Sequence, residues 1–120
     1  MKVWDYETCQ RIMRSLSIAQ KEAEEELAEA GEEAARSEQA YRVELAKAEI
    51  ALREQGLPAT LIPDLARGRE EVAQLKMQRD LAEVRKDSAG KALWRHASDR
   101  KDAHRLVDYS LAVNTGRALD

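Results

Sequence analysis

The chain has 120 residues, with 20 Lys plus Arg against 23 Asp plus Glu and a formal net charge of −3. Charged side chains make up 36% and aromatics only 4%; Phe is absent, and there are 5 Gly and 2 Pro. One domain spanning 1–120 is expected at this length, and the scarcity of aromatics and turn-formers excludes a β-sandwich or barrel. The weight of Ala, Glu, Leu, Arg and Lys is that of long helices.

The first predicted element is a helix over about 5–55. It contains no Pro and one glycine, Gly31. Apolar or small residues recur at Ile12, Leu16, Ala19, Ala23, Leu27, Ala30 and Ala34, then at Tyr41, Leu45, Ala48 and Leu52. These steps of three and four keep one stripe on one helical face. Glu7–Arg11, Glu38–Arg42 and Glu49–Arg53 are spaced as supporting i,i+4 pairs. Gly31 costs about 1 kcal/mol relative to Ala and marks the expected place for a bend or break.

Gly56 suits the left-handed position that closes a helix, with Pro58 two residues on. A Pro/Gly corner follows over 56–68, in which Pro63-Asp64 opens a single helical turn and Gly68 closes it. Leu57, Leu61, Ile62 and Leu65 are too apolar for a free linker and are expected to cap the helix ends.

A second helix is predicted over about 69–112, with Glu70 and Glu71 favourable in its first turn. Its stripe reads Val72, Leu75, Ala82, Ala89, Leu93 and Ala97, flanked by Met77, Leu81, Val84 and Trp94. Asp87–Lys91 is a further i,i+4 pair, Gly90 weakens the middle, and Ser98-Asp99 marks a restart. The tail over 114–120 is expected to fray. The fold class is therefore all-α: a long, coiled-coil-like antiparallel helical hairpin. Because such a hairpin buries one seam and leaves the flanks of each stripe wet, it is expected to assemble into a homo-oligomeric bundle.

The corner run Leu52-Arg53-Glu54-Gln55-Gly56-Leu57-Pro58-Ala59-Thr60-Leu61-Ile62-Pro63-Asp64, the following Leu65-Ala66-Arg67-Gly68, and Arg79-Asp80 lie in a segment of about Tyr41–Leu93. That segment resembles small helical-hairpin proteins of phage and prophage genomes, often encoded beside recombination and replication genes. The resemblance implies a genomic setting and carries over no catalytic residue. The lone Cys9 forms no internal disulfide, and neither a signal-peptide layout nor an apolar run of about 18 residues is present. The expected location is the cytoplasm of a bacterial host.

No catalytic, metal or cofactor site is expected. The five glycines are scattered and make no phosphate loop. A nucleophile would have to join Cys9 to His96 or His104 with a third orienting group. His104–Asp108 and His96–Asp99 lack the Glu-x-x-His pattern of dinuclear helical bundles.

The sharpest feature is acidic. Glu22, Glu24, Glu25, Glu26, Glu29, Glu32 and Glu33 crowd twelve residues, and Glu22, Glu26, Glu29 and Glu33 share one face. The block is either a solvated helix face or an electrostatic surface for a basic protein partner. Trp4, Tyr6, Trp94 and Tyr109 are expected near one end of the hairpin, either closing it or forming a contact site. The function expected is non-enzymatic protein binding by a phage or prophage accessory protein, with a partner in recombination, replication or host defence. The acidic face and the exposed apolar flanks would make the contact. The alternative is a nucleic-acid-binding accessory protein using Arg67 and Arg69 at the corner with Lys91, Arg95 and Arg105 on the second helix.

Overall fold

Three helices account for nearly all of the chain. The structure is a computed structural model that describes residues 3–116, and among these no strand occurs. Helix α1 spans Tyr6–Glu54, α2 spans Ile62–Arg67 and α3 spans Glu70–Asn114. No helix among the described residues is long and apolar enough to cross a membrane.

Local chemistry explains the boundaries. Asp5 caps α1: the Thr8 amide donates to Asp5 Oδ1 (2.7 Å), satisfying one of the first-turn donors that lack a helical acceptor. The Thr8 side chain, then this amide hydrogen bond, hold the Asp5 carboxyl below its ordinary range. At the other end Gly56 adopts φ 76°, and its amide donates to the Arg53 carbonyl (2.9 Å), which ends α1 where the sequence predicts. The single turn expected after Pro63 is present as α2, closed by Gly68, whose amide donates to the Asp64 carbonyl (3.0 Å).

Both long helices continue through the positions where the sequence weakens them. α1 runs through Gly31 and α3 runs through Gly90 and Ser98-Asp99 without a break. Ala30 and Ala34 are both buried, so the turns on each side of Gly31 are pinned by packing that outweighs the glycine's backbone entropy.

The chain divides into two compact units, each containing a piece of α1 and a piece of α3. The central unit, Ala28–Ser88, holds the main core: Tyr41, Ala48 and Leu52 of α1, Ile62 and Ala66 of α2, and Val72 of α3. Leu45, Leu57 and Leu75 pack against it. α2 buries only one face. Ile62 and Ala66, four apart, point inward, whereas Leu61 and Leu65 are exposed, so only part of the apolar corner serves as a cap.

The terminal unit comprises Met1–Leu27 and Ala89–Asp120. Its segments of α1 and α3 run antiparallel, as the Trp4–Ser110 and Gln20–Arg100 contacts require. Cys9, Ala23, Ala89, Val107 and Ser110 are buried there. The Trp4 amide donates to Ser110 Oγ (3.0 Å) and Asn114 Nδ2 donates to the Trp4 carbonyl (2.7 Å). Asn114, Thr115 and Gly116 are thus tied down, Thr115 through its own hydroxyl to the Leu111 carbonyl (2.8 Å) and Gly116 through its amide to the Val113 carbonyl (3.1 Å); the rest of the tail expected to fray, 117–120, lies outside the described residues.

Glycine substitutions separate the two backbone roles. Gly31→Ala is expected to raise unfolding stability by about 0.5–1 kcal/mol, because nothing lies within 4 Å of the added Cβ. Gly56→Ala is expected to lower it by about 1 kcal/mol or more, because its left-handed backbone disfavours a side chain. Urea unfolding of the two variants beside the parent checks both signs.

Candidate partner-binding surfaces

In the central unit the seam between helices ends on a cationic lock. Arg79 reaches from α3 over the Tyr41 ring of α1, its guanidinium carbon 4.4 Å from the ring centroid. It also pairs with Glu38 (3.4 Å) and Asp80 (3.1 Å), and Asp80 takes a second cation, Lys76 (3.1 Å). The Lys76 ammonium, then the Arg79 guanidinium, hold the Asp80 carboxyl below its ordinary range. Glu38 is lowered chiefly by Arg42, and Arg79 is raised chiefly by Asp80. This network was not anticipated from the sequence. Tyr41 is in the first stripe and Arg79-Asp80 in the corner resemblance, but spacing within one helix does not show that Arg79 of α3 lies over Tyr41 of α1.

The same unit carries an apolar row with nothing over it. Met77, Leu81 and Val84 are 57%, 61% and 62% exposed and follow one another at steps of four and three. They lie on the side of α3 turned away from Val72, Leu75 and Ala82. Ala73 continues the row, and Lys76 and Asp80 flank it.

The acidic residues expected to form one face divide between the units: Glu22 and Glu26 belong to the terminal one, Glu29 and Glu33 to the central one. All four are exposed. Glu33 pairs with Arg85 of α3, and its neighbour Glu32 pairs with Arg36. Of the predicted i,i+4 pairs, Glu38–Arg42 forms (2.6 Å), while Glu7–Arg11, Glu49–Arg53 and Asp87–Lys91 do not reach salt-bridge contact.

Of the four aromatic residues, Trp94 stands apart. Trp4 is anchored at Ser110, next to the half-buried Tyr109. Tyr6 is exposed, with its hydroxyl accepting from Gln10 Nε2 (3.1 Å). Trp94 is 73% exposed and sits sixteen residues before Ser110 on an unbroken helix, about 24 Å along its axis. The expectation that Trp94 joins Trp4, Tyr6 and Tyr109 at one end is therefore corrected, because the helix rise sets it too far away.

The cations proposed for nucleic acid also divide, Arg67 and Arg69 to the central unit and Lys91, Arg95 and Arg105 to the terminal one. Arg67 lines a shallow groove with Tyr41, Leu45 and Arg79, and Arg69 sits half-buried at the start of α3. The Cys9 thiol is buried with the Trp4 carbonyl 3.9 Å away, and His104 Nδ1 faces Asp108 Oδ2 at 3.2 Å. Among the described residues no three His, Cys, Asp or Glu side chains converge as metal ligands.

The depressed carboxyls of Glu38 and Asp80 fix the sign of an acid effect. Their contribution is present at neutral pH and is lost as pH falls through the folded-state values, since protonation removes the charge that Arg42, Lys76 and Arg79 hold. Thermal unfolding followed from pH 7 into the acid range should show a falling midpoint. The double variant Glu38→Gln, Asp80→Asn should start lower at pH 7 and show a shallower acid slope; an unchanged slope would remove this network from the account.

Comparison with known proteins adds no relative: no protein-family model, curated protein or solved structure matches the chain.

Proposed function

We propose that this chain is a non-enzymatic accessory protein of phage or prophage origin that binds a protein partner in recombination, replication or host defence. Its helices would pair as a long antiparallel hairpin that assembles into a homo-oligomeric bundle. The observation that carries the reading is the row Met77–Leu81–Val84, three large apolar side chains more than half exposed in succession on one helix face. Solvated helices ordinarily present charge in such a row, and contiguous exposed apolar surface marks a contact site. The exposed carboxylates Glu22, Glu26, Glu29 and Glu33 support a partner with basic surface, acting on encounter rate and selectivity more than on affinity. The resemblance of the corner sequence to phage and prophage proteins supplies the biological setting.

Leu81→Glu places a charge in the middle of the row without touching a buried residue, so the fold should survive and binding should not. Captured from bacterial lysate by the tagged full-length chain, a stoichiometric partner is expected to persist after nuclease treatment. It should fall at least about tenfold with Leu81→Glu, which is the loss of roughly 1.4 kcal/mol of contact. Reversing Glu22, Glu26, Glu29 and Glu33 to Lys should slow association and weaken its salt dependence. A partner retained equally by all variants would sink the reading.

A further inference from the structure

In the central unit Arg36, Arg42, Lys47, Lys76, Arg79 and Arg85 contact a carboxylate, whereas Arg53, Arg67 and Lys86 do not. The outward side of α3 in the terminal unit is different. Lys91, Arg95, Lys101 and Arg105 make no hydrogen bond or salt bridge with any described residue. Lys91, Trp94, Ser98, Lys101 and Arg105 follow each other at steps of three, four, three and four and so form one ridge, with Arg95 on its shoulder. Leu93, His96, Arg100, Ala103, Val107 and Ser110, buried or half-buried, occupy the opposite side. Three carboxylates approach the ridge: Asp87 four residues before Lys91, Asp102 beside Arg95, and Asp108, which already faces His104. Four unmatched cations therefore stand against two carboxylates without a partner, Asp87 and Asp102.

Trp94 stands on this ridge one turn after Lys91, 73% exposed, with Gly90, Lys91, Ala97 and Ser98 as its helical neighbours. None is a large apolar residue. A tryptophan used as a protein–protein anchor sits within an apolar cluster that excludes water around it. A tryptophan used to stack on a base needs only a free ring face and cations within reach of the adjoining phosphates.

We propose that this ridge binds single-stranded nucleic acid, with Trp94 stacking on one base and Lys91, Arg95, Lys101 and Arg105 meeting the flanking phosphates. A duplex is disfavoured because its bases are already stacked and offer the indole no open face. Lys91 to Arg105 spans about 21 Å of helix, the length of about six nucleotides at the stacked spacing of ~3.4 Å and of fewer in an extended strand. The site uses no residue of the Met77–Leu81–Val84 row, so it stands or falls independently of the protein partner.

Fluorescence anisotropy of a labelled oligothymidylate of about twenty nucleotides, titrated with the full chain, tests it. Binding is expected at 50 mM salt and should weaken about 50-fold at 200 mM, from a slope of about −0.7 per phosphate over four contacts. Trp94→Ala should weaken it about 5- to 150-fold, as loss of one stacked base does, and Trp94→Phe should restore most of the affinity. Lys101→Glu with Arg105→Glu should abolish it, while the far-ultraviolet helical signal of each variant stays at the parent level. Oligothymidylate should quench indole emission in the parent but not in Trp94→Phe, where Trp4 is the remaining tryptophan. No anisotropy change at 50 mM salt overturns the proposal. So does affinity that is indifferent to Trp94→Ala, equal affinity for a duplex, or displacement of the strand by an equimolar acidic polypeptide, which would assign the ridge to an acidic protein.

Discussion

Alanine at the helix contacts governs how much this chain can bury. Ala23, Ala30, Ala34, Ala48, Ala66, Ala82 and Ala89 are all inside, whereas Val72 and Ser110 are the largest side chains that are fully buried. A buried alanine removes about one methyl group from water, worth roughly 0.8 kcal/mol, where a leucine or isoleucine gives about 1.5–3. Small side chains let helix backbones approach closely, so the contacts stay dense while the apolar area stays low. Large apolar residues are left over for the outside, and Met77, Leu81 and Val84 are among them.

The larger buried residues concentrate where the chain turns. Tyr41, Leu52, Ile62 and Val72 belong to one cluster, and that cluster needs the left-handed residue at Gly56 to end α1 before α2 docks. Polar interactions then secure what the alanines leave loose. Arg79 is fixed by an aromatic face and two carboxylates in the central unit. In the terminal unit, Ser110 and Asn114 hold the backbone of Trp4. These contacts are directional, so they set helix register in a way that methyl groups of equal size along a stripe do not.

Register is also what divides the legible from the illegible in the sequence. The α1 stripe from Ile12 to Leu52 is buried or half-buried at every position read from its spacing, and Gly56, Pro63 and Gly68 mark the corner where the structure has it. The inward face of α3 is mixed, because Arg79, His96, Arg100 and Ser110 take seam positions among its apolar residues. A search for apolar residues alone slides off that seam and picks Ala97, which is exposed. Propensity leaves continuity at Gly31 open, and packing decides it: about 1 kcal/mol of local cost is outweighed by burial of Ala30 and Ala34 on either side. Exposure of Glu22, Glu26, Glu29 and Glu33 followed from their type, but the pairing of Glu33 with Arg85 depends on which turn of α3 lies opposite, and spacing within one helix does not contain that.

The same geometry shapes the functional chemistry of the surface. An uninterrupted helix offers no cleft of its own, so residues three and four apart along one ridge are the smallest unit that a partner meets. The Met77–Leu81–Val84 ridge is apolar and flanked by Lys76 and Asp80, which already neutralise each other. Such a ridge rewards the exclusion of water over a broad contact, which a folded protein surface provides. The ridge around Trp94 has one aromatic face and cations without partners, so its gain comes from counter-charge and a single stacked ring, and a flexible polyanion meets that requirement without shape complementarity. Because one ridge lies in the central unit and the other in the terminal unit, a substitution on the solvent side of either leaves the buried contacts of both unaltered. The two binding chemistries are for that reason separable by single exposed substitutions, which alanine-lined helices tolerate because their stability lies in the seam and at the corner.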